Sequence, residues 1–273
     1  MSRFDEIYDR RAHLYERYWA PVLAPTALGL IAIAADWLPP DGAGATILDV
    51  GVGTGRLMRA VGKRWPAADL IGVDPARGML AQSHAATRGL ANEPRLLQGD
   101  ADAIPLPDGV VDVALSSFVL QLVPDRAAAL RDIRRLLRPG GHLAYVTWLE
   151  RDEPFAPADA FDEAVLDLEI DEEDEPEAFR AGDLPSAPAA IGQLRRAGFA
   201  AAGARLETLE YAWTAETYLE YKLGYDEYAL VDTLSRPQRQ RLAVFARKRF
   251  AALAPGDFTW RAGVVFAWGR RSG

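Results

Sequence analysis

Between residues 46 and 148 the chain alternates short apolar runs with helix-forming segments, and this rhythm constrains the fold more than any other feature. Thr46–Val50, Asp69–Asp74, Arg95–Gln98, Val110–Leu115 and His142–Trp148 read as strands. Arg56–Arg64, Arg77–Thr87 and Arg126–Leu137 read as helices between them. Strands joined through helices specify a parallel sheet with right-handed crossovers, because a tight turn cannot join two parallel strands.

The flanking segments follow other rules. Residues 4–38 are predicted helical, first through Phe4, Tyr8, Tyr15, Tyr18 and Trp19 at mostly three- or four-residue steps. A second helix, Val22–Leu38, opens at Pro25-Thr26 and stops at Pro39-Pro40-Asp41-Gly42. Residues 150–185 break the rhythm with Pro154, Pro157, Pro176 and Pro185. A helix over Pro188–Ala197, a strand over Ala204–Trp213, helical residues 215–254 and a strand over Phe258–Trp268 complete the chain.

Composition removes several function classes. The 273 residues carry a net charge of −8, and the excess is local: thirteen acids stand against two arginines between 151 and 180. That balance leaves no broad basic surface for duplex nucleic acid. There is no cysteine, which removes disulfides, thiolate metal sites and Cys nucleophiles, and three unrelated histidines argue against zinc. Met1–Glu6 is charged where a signal peptide has its apolar run, and Val22–Ala35, broken by Pro25 and Gly29, is shorter than the roughly 20 residues of a membrane helix. A cytoplasmic location without a membrane partner is therefore expected. The acidic stretch Asp171–Glu177 is expected to be a solvated excursion dispensable for ligand binding.

Open parallel sheets bind ligands outside the carboxyl ends of their strands, where strand order reverses. The first strand ends in Asp49-Val-Gly51-Val-Gly53-Thr-Gly55, glycines that let backbone turn sharply and approach a ligand. The spacing is G-x-G-x-G. A dinucleotide fingerprint needs its third glycine at Arg56, which disfavours a nicotinamide oxidoreductase without removing it. Asp74 closes the second strand, where a carboxylate accepts from a ribose diol; it can also cap the helix that follows Pro75. Gly99-Asp100-Ala101 and Ser116-Ser117-Phe118 close the third and fourth strands.

Four ordered motifs carry a resemblance: Ile47–Leu57, Gly72–Leu80, Gly99–Asp108 and Leu136–Gly141. Together they resemble the class I S-adenosylmethionine-dependent methyltransferases, nearest the ubiquinone/menaquinone-biosynthesis (type 11) branch. The resemblance implies an α/β fold: a Rossmann-like, doubly wound, seven-stranded, mostly parallel sheet with an antiparallel last strand and helical cap insertions. It implies one domain over 1–273, with a lid at 1–40, a cofactor-binding core at 45–150, cap segments at 150–185 and 214–255, and the last strand in 256–273. S-adenosylmethionine is the implied cofactor, a small molecule the methyl acceptor, and monomer or homodimer the form. Gly51, Val52 and Gly53 are implied beside the methionine part, Asp74 and Pro75 at the ribose, Met79, Asp100 and Ala101 at adenine, and Ser117 near the methionine end. Asp49 is implied to organise the loop or the ligand's amino group. Ala12-His13-Leu14-Tyr15-Glu16 is similar to the family's lid signature, with Glu16 in place of Asp, which makes Tyr15 a cofactor contact and His13 and Tyr15 the candidate bases. Gln121 stands where many relatives carry histidine. A non-catalytic S-adenosylmethionine-binding protein and, less compatibly, a nucleic-acid methyltransferase are the other readings.

Overall fold

The structure, a computed structural model, describes residues 3–151, 153–168 and 181–273; the acidic stretch Asp171–Glu177 lies outside them. Seven strands form one sheet: β1 (Thr46–Val50), β2 (Asp69–Asp74), β3 (Arg95–Gln98), β4 (Val111–Ser117), β5 (Leu137–Trp148), β6 (Phe199–Ala212) and β7 (Thr259–Arg271). Their order is β3-β2-β1-β4-β5-β7-β6, with β7 antiparallel to both neighbours and the other pairings parallel. The chain winds outward from β1 to β3 and returns to place β4 on the other side of β1. The order therefore reverses between β1 and β4, where such sheets open a crevice.

Among the described residues, ten α-helices flank or cap the sheet: α1 (Arg3–Leu14), α2 (Ala20–Ala34), α3 (Arg56–Arg64), α4 (Arg77–Thr87), α5 (Arg126–Leu136), α6 (Ala156–Leu166), α7 (Ala187–Arg196), α8 (Ala215–Tyr221), α9 (Tyr228–Thr233) and α10 (Arg236–Phe250). Successive strand residues point to opposite faces, so each strand feeds two cores. Ile47, Val113, Leu115, Val146 and Phe266 face α2, α3, α8 and α10. Leu48, Ala114, Leu143, Tyr145 and Val265 face α5 and α7.

Four expectations are corrected. The N-terminal helices form one nearly continuous run, α1 and α2 joined by a π-helical turn at Tyr15–Trp19, with Pro25 inside α2. Pro25 removes one backbone bond, which burial of Val22, Leu23, Leu30 and Ala34 offsets. The run Ile7–Trp37 is consequently long and apolar enough to cross a membrane, with a mean hydropathy of 1.6 and a third of its most apolar window buried. Second, β5 begins at Leu137, five residues before the expected His142, with Arg138–Gly141 as a bulge opposite Val111 and Val113. Third, α6 lies in the proline-rich excursion, where Pro157 opens it and Phe161 buries fully. Fourth, β6 begins at Phe199, five residues before the expected start, across a bulge at Ala201 (φ +45°).

Candidate functional site

At the carboxyl ends of β1 to β4 lies a cavity of about 320 Å³, within the range of small-molecule sites. The glycine loop forms one wall. The N–H groups of Gly51 and Val52 both donate to the Val73 carbonyl, at 2.8 and 2.9 Å, which folds the loop back over β2. Gly51 has φ +71°, and a Cβ there would stand 2.2 Å from Val119, so only glycine fits. At the end of β2, Asp74 accepts from Gly53 N–H at 2.9 Å and from Ala76 N–H at 3.0 Å. It braces two turns at once, and the cap position of α4 is Ala76, not Asp74.

The segment after β4 forms the opposite wall. Phe118 sits at φ +54°, a costly conformation for an aromatic residue, held by its N–H bond to the Val146 carbonyl at 2.8 Å. Buried Gln121 is engaged at both ends: its Nε2 donates to the Phe118 carbonyl and its Oε1 accepts from Thr147 Oγ1, each at 2.8 Å. Arg126, buried at the start of α5, donates to the Leu120 carbonyl at 2.9 Å. The wall is thus rigidly supported from below.

Of the residues singled out from sequence, Tyr15, Gly51, Gly53, Asp74, Pro75, Met79, Asp100, Ala101 and Ser117 line this one cavity. Three do not. Val52 is buried in the core against Gly72, Asp49 is buried, and His13 is exposed on α1 away from the wall. Sequence reasoning left out of the site Tyr8, Asp102 and the apolar stretch Phe118, Val119, Leu122, Val123 and Pro124. The proximity of Phe118 and Val119 to Ser117 was the available signal.

Within the segment 1–40 expected to form a lid, α1 and the Tyr15–Trp19 turn pack over α4 and α3. Asp9 accepts from Gly78 N–H, and a Cβ at Gly78 would meet the Asp9 carbonyl at 2.1 Å, so glycine lets α1 lie directly on α4. Arg56, the residue that breaks the dinucleotide fingerprint, donates through Nε to Glu16 at 2.8 Å and ties the turn to α3. Burial, then Tyr8 and Asp74, push the Tyr15 hydroxyl pKa well up, which favours its protonated form.

Asp49 presents a different electrostatic problem. Both carboxylate oxygens are buried with no hydrogen-bond partner, and burial, then Asp74, raise its pKa well above the ordinary 3.8. A raised folded-state pKa gives a contribution that is complete below the unfolded value and lost as pH rises through the folded one. Asp49→Asn should therefore stabilise the ligand-free protein by about 1–3 kcal/mol near pH 8 and by little near pH 4. Thermal melts across that range check it; a constant offset at every pH would contradict it.

A methyltransferase-domain family model matches residues 48–145, which span β1 to β5 and the whole glycine loop. Malonyl-[acyl-carrier protein] O-methyltransferase of Xylella fastidiosa is 40% identical over 119 residues, covering 42% of this chain and 40% of that protein. Demethylmenaquinone methyltransferase of Thermus thermophilus is 41% identical over 99 residues, covering 36% and 44%. The matched part thus spans less than half the length of these curated relatives. Haemonchus contortus phosphoethanolamine N-methyltransferase 2, solved with S-adenosyl-L-methionine, shares the fold at a TM-score of 0.52 and 18% identity, over 89% of this chain and 52% of that one. The four strand-end motifs, the reversal between β1 and β4 and the family match over those same strands agree: residues 48–145 match a methyltransferase domain.

Proposed function

We propose that this protein transfers a methyl group from S-adenosylmethionine to a small-molecule acceptor, as a cytoplasmic monomer or homodimer. The observation that carries the reading is the single cavity uniting the glycine loop, Asp74, Met79 and Asp100 with an apolar far wall. The chain's residues fit such a cofactor. Gly53 leaves open space where a Cβ would stand, Asp74 presents a carboxylate to a ribose diol, and buried Met79 offers a face to adenine. Asp100 and Ala101 lie at the edge of that adenine position, Pro75 beside the ribose, and Ser117 and Tyr15 toward the methionine end. Cytoplasmic placement is supported by the packing of α2, whose Leu30 and Ala34 are fully buried.

When bound, S-adenosylmethionine supplies an activated methyl on its sulfonium. The protein's own contributions are alignment and the exclusion of water by Tyr8, Tyr15, Phe118, Val119 and Leu122. Of the two candidate bases, His13 is off the cavity and Tyr15 lines it with a raised hydroxyl pKa; at Gln121, where many relatives carry histidine, the amide is engaged at both ends.

The test is transfer of label from methyl-labelled S-adenosylmethionine into a cell extract separated by size. Label in the low-mass fraction is the expected result. Label on protein supports a second reading, an acceptor tethered to a carrier protein, which draws on the substrate in the Xylella relative's name. Tight cofactor binding without any transfer would make the protein a binder and sink the enzyme reading.

The lid gives a separate prediction. Lids are mobile when empty and ordered when a ligand is held. Amide exchange over residues 4–20 should slow on adding S-adenosylhomocysteine, and Tyr15→Phe should lower turnover more than stability. The Arg56–Glu16 pair is partly exposed and contributes under ~1 kcal/mol, so Arg56→Ala should leave cofactor affinity within about fivefold. Equally slow exchange in both states would refute a lid.

A further inference from the structure

Trp148 is the last residue of β5, Trp260 the second of β7 and Trp19 the last of the π-helical turn. Because β7 runs antiparallel to β5, the end of one and the start of the other share the sheet edge on which the cavity lies. The three indoles touch one another, with centroids 6.3 Å apart for Trp19–Trp148, 5.6 Å for Trp19–Trp260 and 5.8 Å for Trp148–Trp260. Each packs against the core and each remains partly exposed. Three neighbouring tryptophans left open on one edge concentrate apolar surface where a soluble fold ordinarily closes it off.

Two strings of rings connect this triangle to the cavity. Phe118, on the wall, lies 4.4 Å from Trp148. Tyr15, on the facing wall, lies 6.2 Å from Tyr225, which is 6.1 Å from Tyr221, which stacks on Trp19 at 5.4 Å and 20°. The second string depends on two π-helical turns meeting face to face, Tyr15–Trp19 and Lys222–Asp226, a geometry frequent at functional sites. Gly224 makes the meeting possible, since a Cβ there would stand 2.9 Å from the Tyr18 ring, and Arg11 donates to its carbonyl at 3.1 Å. The acids nearest these rings are engaged: Asp226 accepts from Tyr221 at 2.8 Å and from buried Lys222 at 2.7 Å, and Glu227 accepts from the same ammonium at 2.5 Å. What the two strings present is ring surface, with Asp226 and Glu227 beside it both engaged by the Lys222 ammonium.

We propose that Trp19, Trp148 and Trp260 form the acceptor subsite and that it selects a neutral, planar, ring-bearing acceptor. The proposal rests on the methyltransferase reading of the adjoining cavity. The indoles are inclined to one another by 41°, 47° and 65°, so a flat ring stacked on one face meets the edge of another. Both arrangements are favourable beyond simple area burial, which a flexible alkyl chain does not exploit. A quaternary ammonium would also be attracted to three indoles, but Asp226 and Glu227 direct carboxylate oxygens to the buried Lys222 ammonium, a cation already held beside the array.

The test uses the full chain saturated with S-adenosylhomocysteine and three probes: 2-naphthol, 1-octanol and choline. Calorimetry should show 2-naphthol binding tightest, and Trp148→Leu and Trp260→Leu should each weaken it about tenfold. S-adenosylhomocysteine affinity should stay within about threefold in both. Trp148→Phe keeps a ring and should retain most of the affinity, which separates loss of stacking from loss of folding. Octanol or choline binding as tightly as 2-naphthol would overturn the proposal, as would leucine variants with wild-type 2-naphthol affinity. Failure of S-adenosylhomocysteine to bind the wild type would instead count against the cofactor reading, and the same 2-naphthol comparison on the free protein would still judge the subsite.

Discussion

Replacing Asp74 with alanine should weaken S-adenosylmethionine binding more than tenfold. Each charge-assisted bond to a ribose hydroxyl contributes about 1.5–3 kcal/mol, and an ionised carboxylate has lone pairs to accept them beside its two backbone bonds. Those bonds add to the effect. Without the carboxylate, the N–H groups of Gly53 and Ala76 lose their partners and the glycine loop loses its brace. Asp74→Asn keeps the shape but loses charge and one acceptor, and should fall between the two. Calorimetry on variants with intact circular dichroism measures this. Wild-type affinity in Asp74→Ala would remove the ribose assignment.

Gly51→Ala should be the most damaging small substitution in the loop. The left-handed conformation costs a Cβ-bearing residue about 1–2 kcal/mol, and forcing a methyl into a filled space costs about 1–3 kcal/mol more. The filled space is the Val119 side chain, 2.2 Å from where that Cβ would stand. A Tm lower by roughly 5–15 °C follows, with loss of cofactor binding. Val119→Ala in the same chain should recover the crowding part and leave the conformational part. Denaturant unfolding of the two single variants and the double variant tests this as a cycle; strict additivity would show that Val119 is not the obstacle.

The cavity at the strand ends was legible in the sequence because its signals are local. Gly51 and Gly53 read as glycines required by a sharp turn, and both take positive φ. Asp74 and Asp100 read as strand-end acids, and both line the cavity. Val52 and Asp49 are buried and do not line the cavity. In a tight loop alternate residues face opposite ways, so Val52 turns into the core while its neighbours face the cavity. The Phe118–Pro124 wall was missed because its apolar residues carry no chemistry by themselves. They become a wall only through the bonds of Phe118 to Val146 and Gln121 to Thr147, and nothing near Gln121 in the chain foretells that second partner.

The sequence by itself determined the central sheet and the helices α3 and α4. Each of those elements is set by its own apolar run and by the glycine, proline or aspartate that bounds it, within a few residues along the chain. The tertiary structure alone decided the rest. β6 begins at Phe199, ahead of the expected Ala204, because β7 offers an edge to pair with, and α2 runs through Pro25 because the sheet buries its face. Arg11 on α1 reaches the Gly224 carbonyl across 213 positions, a contact that neither segment specifies on its own. Propensity acts between near neighbours, whereas these contacts form only after the chain has closed on itself, when burial and hydrogen bonding outweigh local preference.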